Sequence, residues 1–121
     1  MRNAVNWFEI PALQFDRAVR FYNAILEQPL RTEHFMGMPH GIFSADEEAV
    51  AGAVVLMPHY QPSEQGSVIY LNVGNGLDAV LSRVAEAGGE ILMPKTDIGP
   101  QGFIAQIRDT EGNKVGLHQP A

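Results

Sequence analysis

Hydrophobic and polar positions fall into two recurring patterns along the chain, and their order repeats. Residues 5–10, Val-Asn-Trp-Phe-Glu-Ile, form a short apolar and aromatic run that predicts a strand closed by Pro11. Phe15, Val19, Tyr22 and Leu26 then recur at 0, +4, +7 and +11, with Ala18 and Ile25 beside them. That spacing lays one apolar stripe along a helix. Asp16 near its start suits the helix dipole, and Pro29 stops it. Residues 30–35, 41–45 and 50–57 are the next predicted strands, separated by Gly37, Pro39 and the acidic turn Asp46-Glu47-Glu48.

The second half runs through the same order. Residues 68–73 predict a strand, and Gly74-Asn75-Gly76 turns the chain. Leu77, Val80, Leu81 and Val84 fall at 0, +3, +4 and +7, a second amphipathic helix ended by Gly88-Gly89. Residues 91–93, 103–108 and 114–118 predict the following strands, the last two joined by the tight turn Asp109-Thr110-Glu111-Gly112-Asn113. Each half therefore reads β-α-β-β-β. A half of about 60 residues buries a thin core alone. The reading is one α+β domain over residues 1–121, with module 1 at about 1–60 and module 2 at about 66–121. Side by side, the modules would form a curved eight-stranded mixed sheet around a cleft, with the helices on its other side.

Composition narrows the function. Eight Lys+Arg against 14 Asp+Glu leave a net charge of −6, which argues against a nucleic-acid partner. No apolar run of about 18 residues exists, so no membrane partner is expected. The start of the chain does not read as a signal peptide, and a cytoplasmic location is expected. The absence of cysteine excludes disulfides, thiolate metal sites and thiol nucleophiles. There is no Ser-His-Asp spacing, phosphate-cradling loop or dinucleotide fingerprint.

Three ordered segments carry a family resemblance. They are Trp7-Phe8-Glu9-Ile10-Pro11 with Asp16-Arg17-Ala18-Val19-Arg20-Phe21-Tyr22, then Val68-Ile69-Tyr70-Leu71-Asn72-Val73 with Gly88-Gly89, then Asp97 and Gly99 with Gly102-Phe103-Ile104-Ala105 and the Asp109–Asn113 turn. The set resembles the vicinal oxygen chelate superfamily of glyoxalase I, bleomycin-resistance proteins and extradiol dioxygenases. The resemblance implies a divalent metal held by His and Glu on inward strand faces, with open positions for a substrate's two oxygens. In this chain the matching first-, fifth- and eighth-strand positions hold Trp7, Val68 and Gly116, and the fourth strand has no His, Asp or Glu. No cofactor is expected on that ground; a divalent metal would need a non-standard site. The resemblance also implies a homodimer.

If Trp7, Val68 and Gly116 face the cleft, strand alternation brings Glu9, Tyr70, Asn72 and His118 to the same face. Apolar walls with a few converging polar groups describe a small-molecule site. Trp7 could stack on a ligand, Tyr70 and Asn72 orient it, and Glu9 act as a base or pair with His118. Glu33 and His34 point to opposite strand faces and are poor co-ligands. Met36-Gly37-Met38-Pro39-His40-Gly41 reads as a lip or a surface hairpin. Three readings follow. One is a binding protein for a small apolar or aromatic molecule; the second is a lyase, isomerase or epimerase using Glu9 or a rewired metal site; the third is an accessory domain that works mainly through protein partners.

Overall fold

The computed structural model describes residues 3–121. The chain runs β1 (Trp7–Pro11), α1 (Phe15–Leu26), β2 (Arg31–Phe35), β3 (Met38–Ile42), β4 (Ala51–Val55), β5 (Tyr70–Asn72), α2 (Leu77–Val84), β6 (Glu90–Asp97), β7 (Phe103–Arg108) and β8 (Lys114–Gln119). A short 3-10 turn, Gly99–Gln101, precedes β7. The repeated β-α-β-β-β order is present, but the strands form two four-stranded sheets, β1-β4-β3-β2 and β5-β8-β7-β6, not one continuous eight-stranded sheet. The outer edge of β1 is already met by a side chain: Asn113 Nδ2 donates to Pro11 O at 2.7 Å. With β5 reduced to three residues, little ladder remains to join the sheets there.

Several boundaries differ from those expected. The third strand starts at Met38 rather than 41, because Met36 and Gly37 both take positive φ, 53° and 74°. That pair makes a two-residue hairpin turn, so Met38-Pro39-His40 belong to β3 and not to a lip. Pro39 is tolerated because pairing with β4 covers His40 to Ile42, leaving Pro39 flanked by β2 alone. β6 runs on to Asp97 through two register shifts; it lies at a sheet edge, where Pro94 costs no ladder bond. Val68 falls outside β5.

The core gathers the helix-facing sides of both sheets. Ala18, Phe21, Tyr22 and Ile25 of α1 and Leu77, Val80 and Val84 of α2 meet Ile10, Val54, Leu71, Ala105, Ile107, Val115 and Leu117. The α1 stripe thus centres on Phe21 and Ile25, with Phe15, Val19 and Leu26 at its margins. Two aromatic–glycine contacts complete the strand packing. In the first module the Phe8 ring covers Gly52, its register partner, on the helix side. In the second the Tyr70 ring covers Gly116, again its register partner, on the outer side.

The turn Asp109–Asn113 is a buried polar latch between the modules. Asp109 Oδ1 accepts from the amides of Glu111, Gly112 and Asn113 at 2.9–3.0 Å. Its Oδ2 accepts from Tyr22 Oη at 2.6 Å and Asn113 Nδ2 at 2.9 Å. Burial first, then the Asp109 charge, push the Tyr22 phenol well above its usual pKa. Glu111 caps the start of α1, accepting from the amides of Leu13 and Gln14 at 2.8 and 2.7 Å, and it pairs with Arg17 Nε at 2.7 Å. Burial pushes the Glu111 carboxyl up, but Arg17, these amides and Thr110 hold its pKa below the ordinary value.

Candidate functional site

Pairing register decides what the first sheet shows on each face. Phe8 and Ile10 turn toward the helices, so Trp7 and Glu9 turn outward. One row across the strands is Glu9, Ala53, Ile42 and Arg31; the next is Pro11, Val55, His40 and Glu33. Ile42, Ala53 and Val55 form a small buried floor packed by Met57.

Glu9 is the hub of this outer face. Trp7 Nε1 donates to Glu9 Oε2 at 3.2 Å. The charge of the Glu9 carboxylate raises the pKa of the Tyr60 phenol. His40 Nε2 lies 3.9 Å from Glu9 Oε2. His40 is 3% exposed, with Nδ1 3.0 Å from Met38 O. A carbonyl only accepts, so Nδ1 carries a proton and Nε2 is the nitrogen turned to Glu9. The Phe35 ring meets the His40 ring edge-on, with centroids 5.0 Å apart.

The outer face of the second sheet differs in character. Tyr70 and Asn72 sit beside Gly116 and His118, so the expected sharing of one face holds in the register. Their side chains are engaged with their own module. Tyr70 Oη accepts from Gln106 Nε2 at 2.8 Å, and Asn72 Oδ1 accepts from the Gly74 amide at 2.9 Å. His118 Nε2 is 2.7 Å from Gln101 O. Glu9's imidazole neighbour is therefore His40, not His118. Among the described residues no group of three His, Asp or Glu side chains converges as a metal site would require.

A cleft of about 830 Å³ opens where the modules meet. The β3–β4 connection from Phe43 to Ala51 forms one wall, and residues Val68 to Gly74 form the other. Phe8, Leu26, Leu30 and Val80 add apolar surface. Ile69 O and Val73 N bond to β8, so the backbone groups of the alternate residues Tyr70 and Asn72 point to the strand's free edge. Val68, Tyr70 and Asn72 thus line a cleft together, whereas Trp7, Glu9, Gly116 and His118 are not on its wall.

His40, Tyr60 and the latch residues were not picked out as functional from the sequence. Met38, His40 and Ile42 alternate as a strand should, a signal that Pro39 masks. Tyr60 lies between elements, where periodicity says nothing.

Two four-stranded βαβββ units with a cleft between them define a glyoxalase-type protein. The chain belongs to the Glyoxalase/Bleomycin resistance protein/Dioxygenase superfamily, whose family model matches residues 4–117. It is 31% identical over 119 residues to a Mycobacterium tuberculosis protein named "Putative glyoxylase CFP32". The match covers 94% of this chain and 44% of that protein, so the chain spans less than half the length of its curated relative. The fold is similar to a glyoxalase/bleomycin resistance protein from Albidiferax ferrireducens T118, with TM-score 0.76, 16% identity and 98% and 100% of the two chains covered. A Zea mays glyoxalase I mutant, V278E, is similar with TM-score 0.69 and 20% identity, covering 93% of this chain and 44% of that one.

Proposed function

We propose that this chain holds a small apolar or aromatic molecule in the cleft between its modules, without the family's metal. The observation that carries the reading is the cleft itself. Its volume of about 830 Å³ lies within the usual small-molecule range. Its walls are more apolar than polar, and the free edge at Tyr70 and Asn72 supplies a few oriented polar groups. The donor set argues for the metal-free part. Trp7 offers an N–H donor and no lone pair, Val68 no donor atom, and Gly116 no side chain, with the Tyr70 ring lying over it. The reading includes a homodimer in the cytoplasm; no helix among the described residues is long and apolar enough to cross a membrane.

Calorimetric titration with 1-naphthol, a neutral aromatic probe, tests the cleft. Saturable binding weakened by Ala45→Leu, which narrows the cleft mouth, is the expected result. Binding that never saturates, or that ignores the substitution, would remove the reading. Elemental analysis of untagged protein tests the metal: a stoichiometric transition metal would overturn the metal-free part. A strict monomer in sedimentation at micromolar concentration would remove the dimer.

A further inference from the structure

We infer that the helix-covered side of the first module carries a second binding site, a groove between α1 and the edge strand β2 that takes a small oxyanion, a carboxylate or phosphate group, on Arg17, Arg20, Thr32 and His34. None of its residues lines the cleft between the modules, so it does not depend on that reading.

The groove follows from register. Thr32 pairs with Gly41, Gly41 with Val54 and Val54 with Ile10, a row that faces the helices. His34 and Pro39 form the next row on that same side. α1 seats on the sheet at Gly41, where an added Cβ would stand 3.1 Å from Val19 and 3.6 Å from Phe15. β2 is the outermost strand, and its Thr32 and His34 stay exposed although they belong to the helix-covered side. They line a cavity of about 650 Å³ together with Arg17 and Arg20 of α1, and Phe15 and Pro39 add apolar surface.

Charge pairing singles out Arg20. Arg17, Arg31, Arg83, Lys95 and Arg108 each lie within 4.0 Å of a carboxylate, and among the described residues Arg20 has no such partner. Asp16 stands four positions before it on α1, a spacing that ordinarily pairs, yet the two are not joined. Arg17 gives Nε and Nη2 to Glu111 while its side chain stays 35% exposed, which leaves Nη1 to spare. The backbone amides before α1 take no part, because Glu111 already accepts from Leu13 and Gln14.

The donor set selects the ligand. A guanidinium only donates, a threonine hydroxyl donates one bond, and an imidazole donates at least one. Guanidinium groups match the paired oxygens of a carboxylate or phosphate. An ammonium ligand would meet two guanidinium groups, and a neutral apolar one would leave these donors unmatched. Asp16 is the one carboxylate on the wall and opposes the ligand, which supplies a variant of opposite sign for the test.

Chemical-shift titration of the 15N-labelled full chain with inorganic phosphate, against chloride at equal ionic strength, decides the matter. Saturable shifts centred on Arg20, Thr32 and His34 are expected with phosphate at millimolar concentration and not with chloride. Arg20→Gln is expected to weaken binding at least about fivefold, and Asp16→Asn to tighten it about two- to threefold. Lys114→Gln removes the same charge on β8, outside the groove, and is expected to leave binding unchanged. Shifts that do not saturate, or that spread over the whole surface, would overturn the proposal. So would an equal loss in Lys114→Gln and Arg20→Gln, which would assign the binding to diffuse charge. A second titration with acetate separates the two sources of the oxyanion, the tighter probe naming the class. The location of the shifts on the unsubstituted chain decides without any variant having to fold. Neither anion is aromatic, so this result and that with 1-naphthol succeed or fail separately.

Discussion

The two turns that close the last hairpin of each module do opposite things. In the second module five residues, Asp109 to Asn113, fold into a compact knot whose three polar side chains are almost wholly buried against α1 and the end of β1. In the first module the connection from Phe43 to Val50 is longer, exposed from Ser44 to Ala49, and lines an open cleft beside β5. Where one turn fills the join between modules with hydrogen bonds, the other leaves it empty. The comparison separates two uses of similar geometry: one side of the join carries stability, the other leaves room for a ligand.

The largest expected effect lies on the latched side. Asp109→Ala would strand the Tyr22 hydroxyl and three amides and remove one of the hydrogen bonds of the Asn113 side chain. The expected loss is roughly 3–5 kcal/mol by urea unfolding, and an effect below about 1 kcal/mol would break the contrast between the turns. Glu111→Gln keeps shape but removes the charge facing Arg17 and the amides of Leu13 and Gln14, at roughly 1–2 kcal/mol. Because the Glu111 pKa is lowered on folding, its contribution is present above the unfolded carboxyl value near 4.5 and is lost as pH falls through the folded value. Stability of the unsubstituted chain minus that of Glu111→Gln should therefore shrink below about pH 4.5. A difference that stays flat to strongly acid pH would assign the effect to shape instead of charge.

Gly116→Ala comes next. A methyl group there would collide with the Tyr70 ring, at a cost of about 1–2 kcal/mol. Tyr70→Ala in the same chain should recover most of it, and a double-mutant cycle measures the coupling. The smallest effect belongs to the open side. Ala45→Leu should change stability by less than about 0.5 kcal/mol while weakening 1-naphthol binding. A large loss of stability would mean that the open side is also structural.

The repeat, both helices and the outward sharing of Trp7 with Glu9 and of Tyr70 with His118 were legible in the sequence, because periods of two and 3.6 fix which side chains share a face. The contacts that decide the site were not. The Asp109–Asn113 turn was readable as a turn, yet its polar side chains bond to the end of β1 and the start of α1 about a hundred residues away, which no local pattern encodes. His40 was hidden by Pro39 and by a hairpin turn in which Met36, a residue with a Cβ, takes a positive φ. Pairing Glu9 with His118 required the two sheets to meet in one continuous surface; with β1 and β5 unpaired, the nearer strand β3 supplied the imidazole instead.

The cap on α1 has a consequence for how the chain acquires its shape. The amide of Leu13 is satisfied by a carboxylate 98 positions further along. During synthesis the amides of Leu13 and Gln14, just before the first helix, therefore depend on water until Glu111 has been made. A chain interrupted before the latch lacks every one of these long-range bonds and should be cut by proteases faster than the full chain.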